Sequence, residues 1–158
     1  AVLEHLELVE ASDVQFIWQT GKYYHQTILD TMKGKELPNL KIMDFIGDMG
    51  AAYKAADLVI SRAGASSISE FQLIGKPVIL VPSPNVAEDH QTKNAMALVN
   101  KGAALFVKDM EAPETLLQLA VKTVNDEQKL ANLSENVRKM GLHKSAEVIA
   151  EEVMKLIK

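Results

Sequence analysis

One stretch of the chain decides its fold class, and it reads Asp57-Leu58-Val59-Ile60-Ser61-Arg62-Ala63-Gly64-Ala65-Ser66-Ser67-Ile68-Ser69-Glu70. Its residues 58–60 are apolar and partly β-branched, which indicates a buried strand. Small residues follow around Gly64, where the backbone can turn tightly, and the pattern from residue 67 onwards predicts a helix that Gly75 ends. A buried strand that turns directly into a helix is typical of a β-α-β unit.

The same alternation extends in both directions along the chain. Strands are predicted at 14–18, 40–46, 58–60, 77–81 and 103–107. Helices are predicted at 1–11, 23–32, 49–56, 67–74, 88–100, 113–124, 126–140 and 144–157. This order predicts a parallel sheet, and the wholly apolar run Val78-Ile79-Leu80-Val81 indicates that helices cover both of its faces. We therefore predict one α/β domain over residues 1–158 with an open, doubly wound, Rossmann-like sheet that binds ligands at the carboxyl ends of its strands.

The composition narrows the classes of function. The chain has 158 residues, with 17 Lys and Arg against 21 Asp and Glu, and its net charge of −4 argues against a nucleic-acid partner. It has no cysteine, which excludes disulfides, zinc-thiolate sites, iron–sulfur clusters and thiol nucleophiles. It also has neither the phosphate-binding G-x-x-x-x-G-K-[ST] loop nor the G-x-S-x-G turn of α/β-hydrolases. No apolar run approaches the ~18–20 residues that span a bilayer, so we expect the chain itself to be soluble.

The segment 64–70, after the third predicted strand, is the first candidate site. Unpaired amides at a helix start, together with the positive end of the helix dipole, bind anions such as phosphate. Ser66 and Ser67 add hydroxyl donors, and Glu70 could accept hydrogen bonds from both hydroxyls of a ribose. These residues predict a site for a nucleoside diphosphate. The alternative is a capping box, in which Ser67 and Glu70 only satisfy backbone amides at the helix start.

The start of the helix after the fourth predicted strand is the second candidate site. Gln91 and Asn94 share a helix face, and their amides suit sugar hydroxyls because they both donate and accept. The alternative is an ordinary polar helix start with acids near the positive end of the dipole. Asp89 and His90 are adjacent, but no further ligand lies at metal-binding spacing, so we predict no metal. Two polar helix starts after neighbouring strands face one crevice, which is a stronger indication than either alone.

At these residues the chain resembles the MurG family of glycosyltransferases. The resemblance rests on the stretch 57–70, on Gly75-Lys76-Pro77-Val78-Ile79-Leu80-Val81-Pro82 and on Asp89-His90-Gln91-Thr92-Lys93-Asn94-Ala95. Two shorter stretches, Trp18-Gln19-Thr20-Gly21-Lys22 and Phe45-Ile46-Gly47-Asp48-Met49, also resemble the family. These matches run in order from about residue 14 to residue 107, and the rest of the chain is similar in layout only.

The resemblance implies the C-terminal, donor-binding half of a GT-B fold, in which two Rossmann-like domains enclose a cleft. It implies an inverting enzyme that moves N-acetylglucosamine from UDP-N-acetylglucosamine to lipid I, the undecaprenyl-diphosphate-linked muramyl-pentapeptide. The product is lipid II, the peptidoglycan precursor. The resemblance implies no cofactor and no metal, and it assigns no catalytic residue to this chain.

The family's substrate-binding residues carry over by motif. They are Phe45, Ile46, Ala65, Ser66, Ser67, Ile68, Ser69, Glu70, His90, Gln91 and Asn94. By this resemblance Ile46 would meet the uracil through its backbone, and Phe45 would help to form the wall of the base site. Residues 65–67 would cradle the diphosphate, with Ile68 and Ser69 in the same segment, and Glu70 would hold the ribose diol. Gln91, with His90 and Asn94, would read the sugar hydroxyls.

The family pattern also contains parts that this chain does not match. The family's C-terminal domain begins with a strand and a glycine-rich loop, and its N-terminal domain carries the acceptor site, the general base and a membrane-facing patch. We therefore expect this chain to lack the first strand of its sheet, to hold half of a site and to be inactive alone. The expected location of the full protein is peripheral, on the cytoplasmic face of the bacterial inner membrane.

Two alternatives to this function remain open at the level of sequence. One is another GT-B enzyme, such as a glycolipid glycosyltransferase or a UDP-sugar epimerase. An epimerase needs catalytic acids in the cleft, and only Glu70 and Asp89 are candidates. The other is a non-catalytic UDP-sugar-binding subunit of a split transferase.

Overall fold

The computed structural model describes residues 1–85 and 89–157, and these form five strands and eight α-helices. The strands are β1 (Phe16–Gln19), β2 (Leu40–Met43), β3 (Val59–Ser61), β4 (Val78–Leu80) and β5 (Leu105–Phe106). The helices are α1 (Leu6–Glu10), α2 (Lys22–Met32), α3 (Met49–Ala55), α4 (Ala65–Ile74), α5 (His90–Val99), α6 (Ala112–Val124), α7 (Glu127–Arg138) and α8 (Ser145–Leu156). Strands and helices alternate as far as β5, and every strand pair is parallel, which confirms the predicted α/β class.

The strands form two parallel ladders where the sequence predicts one sheet. β1 pairs with β2, with Phe16 opposite Leu40, and β4 lies between β3 and β5. No ladder joins β1 to β3 within residues 1–85 and 89–157. β1 and β3 each carry a half-exposed isoleucine, since Ile17 is 49% and Ile60 is 40% exposed. Each of these two strands therefore has one edge without a partner strand in the described part of the chain.

The core of the three-stranded ladder lies around β4, whose three residues are completely buried. Val78 and Leu80 pack against α4 and α5, where Phe71 and Leu98 are buried beside them. Ile79 lies in a second cluster, which α6 helps to form. Alternate side chains of one strand thus enter cores on opposite faces, as expected for a doubly wound sheet.

The two-stranded ladder has its own smaller core. Leu6 of α1 and Ile28 and Met32 of α2 form it, with Trp18 of β1 packed against them. The N-terminal segment, predicted as a helix over 1–11, is instead a short 3₁₀ helix (Val2–Glu4) followed by α1. This segment contacts the cores of both ladders. Ala1 packs against the cluster that contains Ile79 and α6, while Val2 and Leu3 pack against the core of the two-stranded ladder.

Three element boundaries differ from the prediction and decide where candidate residues lie. α4 begins at Ala65, two residues before the predicted position, because Gly64 is its N-cap. β2 ends at Met43, so Phe45 and Ile46 lie in the loop that follows it. α5 begins at His90 among the described residues, and residue 88, where the prediction placed its start, lies outside them.

The C-terminal end of α4 is anchored on α7. Gly75 caps α4 in the left-handed conformation, with φ of 67°, and its amide donates to the Phe71 carbonyl at 2.9 Å. The Gly75 carbonyl accepts a hydrogen bond of 2.7 Å from Ser134 Oγ. A Cβ at this position would lie only 2.5 Å from Nε of Arg138. Glycine therefore allows both the backbone turn and the close approach of α7.

Replacing Gly75 should destabilise the domain for two reasons. Gly75→Ala is expected to lower the free energy of unfolding by about 1–3 kcal/mol, because alanine disfavours positive φ and its Cβ would displace Arg138. Gly34 offers a matched control, since its φ is 78° and no atom lies within 4 Å of its Cβ position. Gly34→Ala should lose only the conformational part, about 1–2 kcal/mol. Urea unfolding measures both, and a loss for Gly75→Ala no larger than the control's would contradict the Arg138 effect.

Candidate functional site

The start of α4 presents unpaired backbone donors. Its first backbone hydrogen bond runs from the Ile68 amide to the Gly64 carbonyl at 3.0 Å. The amides of Ala65, Ser66 and Ser67 precede that bond and find no acceptor among the described residues, and no side chain caps the helix. Three such amides at the positive end of a ten-residue helix are the donors on which the predicted anion site depends.

The capping-box alternative is wrong. Gly64 is the N-cap, so Ser67 is the third residue of the helix and Glu70 lies in its second turn. Neither side chain bonds an amide at the helix start. Glu70 is exposed, and its Oε2 accepts a hydrogen bond of 3.0 Å from Tyr53 Oη, which belongs to α3. The Glu70 carboxylate is therefore free of the backbone and stands at the surface.

The other two residues of the segment point elsewhere. The Ile68 side chain is 7% exposed and packs in the core, while its amide is bonded to Gly64. The Ser69 hydroxyl donates to the carbonyl of Ala65 at 3.0 Å. The structure thus places Ala65, Ser66 and Ser67 at the helix start, and it directs Ile68 and Ser69 towards the helix and core.

The loop after β2 holds the residues predicted at the base site. Phe45 is 62% exposed, and Ile46 is partly buried. The Ile46 amide donates to Oε1 of Gln19, the last residue of β1, at 2.9 Å. Its carbonyl has no donor among the described residues. The Ile46 carbonyl is therefore available as an acceptor, while the Ile46 amide is already bonded to Gln19. The sequence does not predict this contact with Gln19.

The amide side chains of α5 fix the two neighbouring loops. Gln91 Oε1 accepts from the Ala63 amide at 3.2 Å and from the Ser83 amide at 2.9 Å. Asn94 Nδ2 donates to the Ala63 carbonyl at 3.2 Å. His90 begins α5 and is exposed. These contacts bring Gln91 and Asn94 beside the β3–α4 turn. They use the Gln91 oxygen, and its Nε2 has no acceptor among the described residues.

Arg62 is a structural residue that sequence reasoning missed. It follows β3 directly, and its Nη1 donates to the carbonyls of Val81 and Pro82 at 3.2 and 3.3 Å. The same guanidinium forms an ion pair with Asp109, after β5. Arg62 therefore joins the carboxyl ends of the three strands of this ladder. Its place between an apolar strand and the glycine turn is the signal that could have identified it.

Tyr53 is also absent from the predicted site. Its ring packs edge-on against Phe71, with ring centroids 5.8 Å apart and an interplanar angle of 80°. Burial, followed by the hydrogen bond and charge of Glu70, raises the pKa of Tyr53 to about 12. The hydroxyl therefore remains protonated, and able to donate to Glu70, at every pH near neutrality.

The candidate site is an open edge of the molecule. Ala65, Ser66, Glu70 and Phe45 are all exposed. Two surface clefts, of about 440 and 320 Å³, lie elsewhere, one on α7 and the other beside the N-terminal segment.

The described residues contain no group of three or more His, Asp or Glu that could hold a metal ion. No helix in residues 1–85 and 89–157 has the length and apolar character needed to cross a membrane.

Comparison with known proteins identifies the family. Residues 1–153 match the model of the glycosyltransferase family 28 C-terminal domain. The chain is 63% identical over 153 residues to the UDP-N-acetylglucosamine--N-acetylmuramyl-(pentapeptide) pyrophosphoryl-undecaprenol N-acetylglucosamine transferase of Bacteroides fragilis, covering 96% of this chain and 40% of that protein. It is 60% identical over 156 residues to the protein of the same name from Phocaeicola vulgatus, covering 98% and 42%.

A solved structure supports the same assignment. The crystal structure of Acinetobacter baumannii MurG matches this fold with a TM-score of 0.81 and 29% identity, over 98% of this chain and 48% of that one. The chain thus spans about 40% of the length of the curated relatives it matches. It belongs to the family of glycosyltransferase family 28 C-terminal domains and has the Rossmann-like fold of the C-terminal half of a GT-B enzyme.

Proposed function

We propose that this chain is the donor-binding part of an N-acetylglucosaminyltransferase that converts lipid I to lipid II in peptidoglycan synthesis. One observation carries the proposal: three unpaired amides at the start of α4 stand one turn from the exposed carboxylate of Glu70. The amides suit a diphosphate, and the carboxylate suits the hydroxyls of a ribose. The names of the relatives at 60–63% identity support UDP-N-acetylglucosamine as the donor.

The proposed reaction inverts the anomeric carbon of the donor. An acceptor hydroxyl attacks that carbon, the bond to the diphosphate oxygen breaks, and UDP leaves with the bonding electrons. The amides of residues 65–67 stabilise the charge that builds on the diphosphate, since they already point outwards and need little reorganisation. The proton of the acceptor hydroxyl goes to a base outside this chain.

The rest of the proposed enzyme supplies what this chain lacks. The chain spans about 40% of the relatives' length, so the remainder has room for a second domain. We assign to that domain the binding of lipid I, the catalytic base and the contact with the cytoplasmic face of the inner membrane. The open edge of the site favours this arrangement, because a second wall would exclude water from the reacting groups.

We also propose that a strand preceding Ala1 in the full-length protein lies between β1 and β3. In the common doubly wound order the first strand separates the second from the fourth, and here β1 and β3 occupy those two places. The unpaired edges of β1 and β3, with Ile17 and Ile60 half-exposed, are the features that such a strand would cover.

If this chain binds the donor and another domain supplies the catalytic base, this chain alone should not transfer the sugar. This chain alone should release no UDP from UDP-N-acetylglucosamine in the presence of lipid I, whereas the full-length protein should transfer the sugar. A coupled assay for UDP, run on both at equal concentration, measures this. Turnover by the chain alone would contradict the assignment of the base to another domain, and a full-length protein without this activity would overturn the proposed function.

Glu70→Gln tests the ribose contact. Charge-assisted hydrogen bonds contribute about 1.5–3 kcal/mol, so the variant should bind UDP roughly ten- to a hundredfold more weakly at an unchanged melting temperature. A 2′-deoxy donor should show the same loss on the unaltered enzyme and little further loss on the variant. Calorimetry on the full-length protein completes this double cycle. Independent, additive losses would show that Glu70 does not contact the ribose.

Gln91 requires two variants, because its oxygen and its nitrogen have different roles. Gln91→Ala leaves the Ala63 and Ser83 amides without their acceptor, so it should lower stability by about 1–3 kcal/mol and weaken UDP as well as the sugar nucleotide. Gln91→Glu keeps an acceptor but removes the Nε2 donor. Its added negative charge near the proposed diphosphate site should weaken both ligands, and the loss of the donor should weaken UDP-N-acetylglucosamine further than UDP. If Gln91→Glu weakens both ligands equally, Gln91 does not read the sugar.

A further inference from the structure

We propose that Tyr53 is a positioning residue that holds the Glu70 carboxylate in place for the ribose diol. The inference rests on the proposed function and extends it to a residue outside the predicted site. Tyr53 lies on α3 and Glu70 on α4, seventeen residues apart, and the Tyr53 hydroxyl donates to Glu70 Oε2 at 3.0 Å. This hydrogen bond joins the two helices at the exposed edge.

The Tyr53 ring is held in place by packing against the core. It packs edge-on against Phe71, which is 1% exposed and belongs to the main core cluster. α3 itself is fixed at its start by Asp48, whose Oδ1 accepts from the Ala51 amide at 2.9 Å. The hydroxyl therefore projects to the surface from a ring with little freedom to move, which makes it a fixed reference point for Glu70.

Glu70 depends on this one donor for its orientation. No cation pairs with its carboxylate among the described residues, and its side chain is exposed. A glutamate without a partner samples several rotamers, and a ligand that needs one of them must overcome that side-chain entropy. The bond from Tyr53 removes part of this cost before the ligand arrives.

The hydrogen bond also leaves the carboxylate able to bind a diol. An ionised carboxylate has about four acceptor positions on two oxygens, and the Tyr53 hydroxyl occupies one of them on Oε2. Oε1 and the second position on Oε2 remain for the two ribose hydroxyls. Because the Tyr53 pKa is raised to about 12, the hydroxyl stays a donor across the range in which such an enzyme would work.

Tyr53→Phe separates this role from a purely structural one, since it keeps the ring packing and removes only the hydroxyl. In the full-length protein the variant should bind UDP about three- to thirtyfold more weakly. Its affinity for 2′,3′-dideoxyuridine diphosphate, which lacks both hydroxyls, should not change. In a Glu70→Ala background, Tyr53→Phe should cause no additional loss for UDP. Tyr23→Phe is the matched control, because Tyr23 is 86% exposed and lies on α2.

Calorimetry on the full-length protein measures these affinities. Its outcomes separate a failure of the role proposed for Tyr53 from a failure of the proposed function. Equal weakening of both ligands, or additive losses with Glu70→Ala, would mean that Tyr53 acts only on the fold and would overturn the inference. Tighter binding of UDP by Tyr53→Phe would mean that the hydroxyl competes with the ribose, which also overturns it. If the unaltered protein binds no UDP at all, the proposed function fails, independently of Tyr53.

Discussion

The turn between β3 and α4 is the constraint on which the candidate site depends. Ala63 is fully buried there, and side chains of α5 bind both of its peptide groups: Gln91 accepts from its amide and Asn94 donates to its carbonyl. With the turn held in this way, Gly64 passes directly into α4. The amides of residues 65–67, like those at the start of any α-helix, have no acceptor within the helix, and none among the described residues bonds them. The proposed anion site thus depends on how the side chains of α5 hold this turn.

Several polar residues of the candidate site use one hydrogen-bonding atom within the protein and keep another for a ligand. Gln91 gives its oxygen to two backbone amides, Ile46 gives its amide to Gln19, and Glu70 gives one oxygen to Tyr53. In each case a complementary group has no partner in the described part of the chain: the Gln91 nitrogen, the Ile46 carbonyl and the second Glu70 oxygen. Such partial engagement orients a side chain or a loop without consuming it, and pre-orientation lowers the entropic cost of binding. It also allows one residue to stabilise the fold and serve a ligand.

Periodicity in the sequence predicts the α/β class and all five strands, because short apolar, β-branched runs such as 78–81 are typical of buried parallel strands. It does not predict the start of α4. Ser67-x-x-Glu70 has the pattern of a capping box, and the earlier start at Ala65 depends on Gly64 as the N-cap, directly after Ala63, whose amide and carbonyl are bonded by side chains of α5. Nor could it pair Tyr53 with Glu70 or Arg62 with Asp109, since these contacts link residues seventeen and forty-seven positions apart. Short-range patterns carry no information about such pairs.

The split in the sheet and the open site are connected. Parallel strands place their carboxyl ends at one edge, so a strand inserted between β1 and β3 would end beside the β3–α4 turn. The loop after that strand would then lie next to the amides of α4 to which we assign the diphosphate. One inserted segment would therefore pair the open edges of β1 and β3 and add a wall to the proposed anion site. Because water screens charges at an exposed edge, that wall would strengthen the proposed interaction of a diphosphate with the α4 amides.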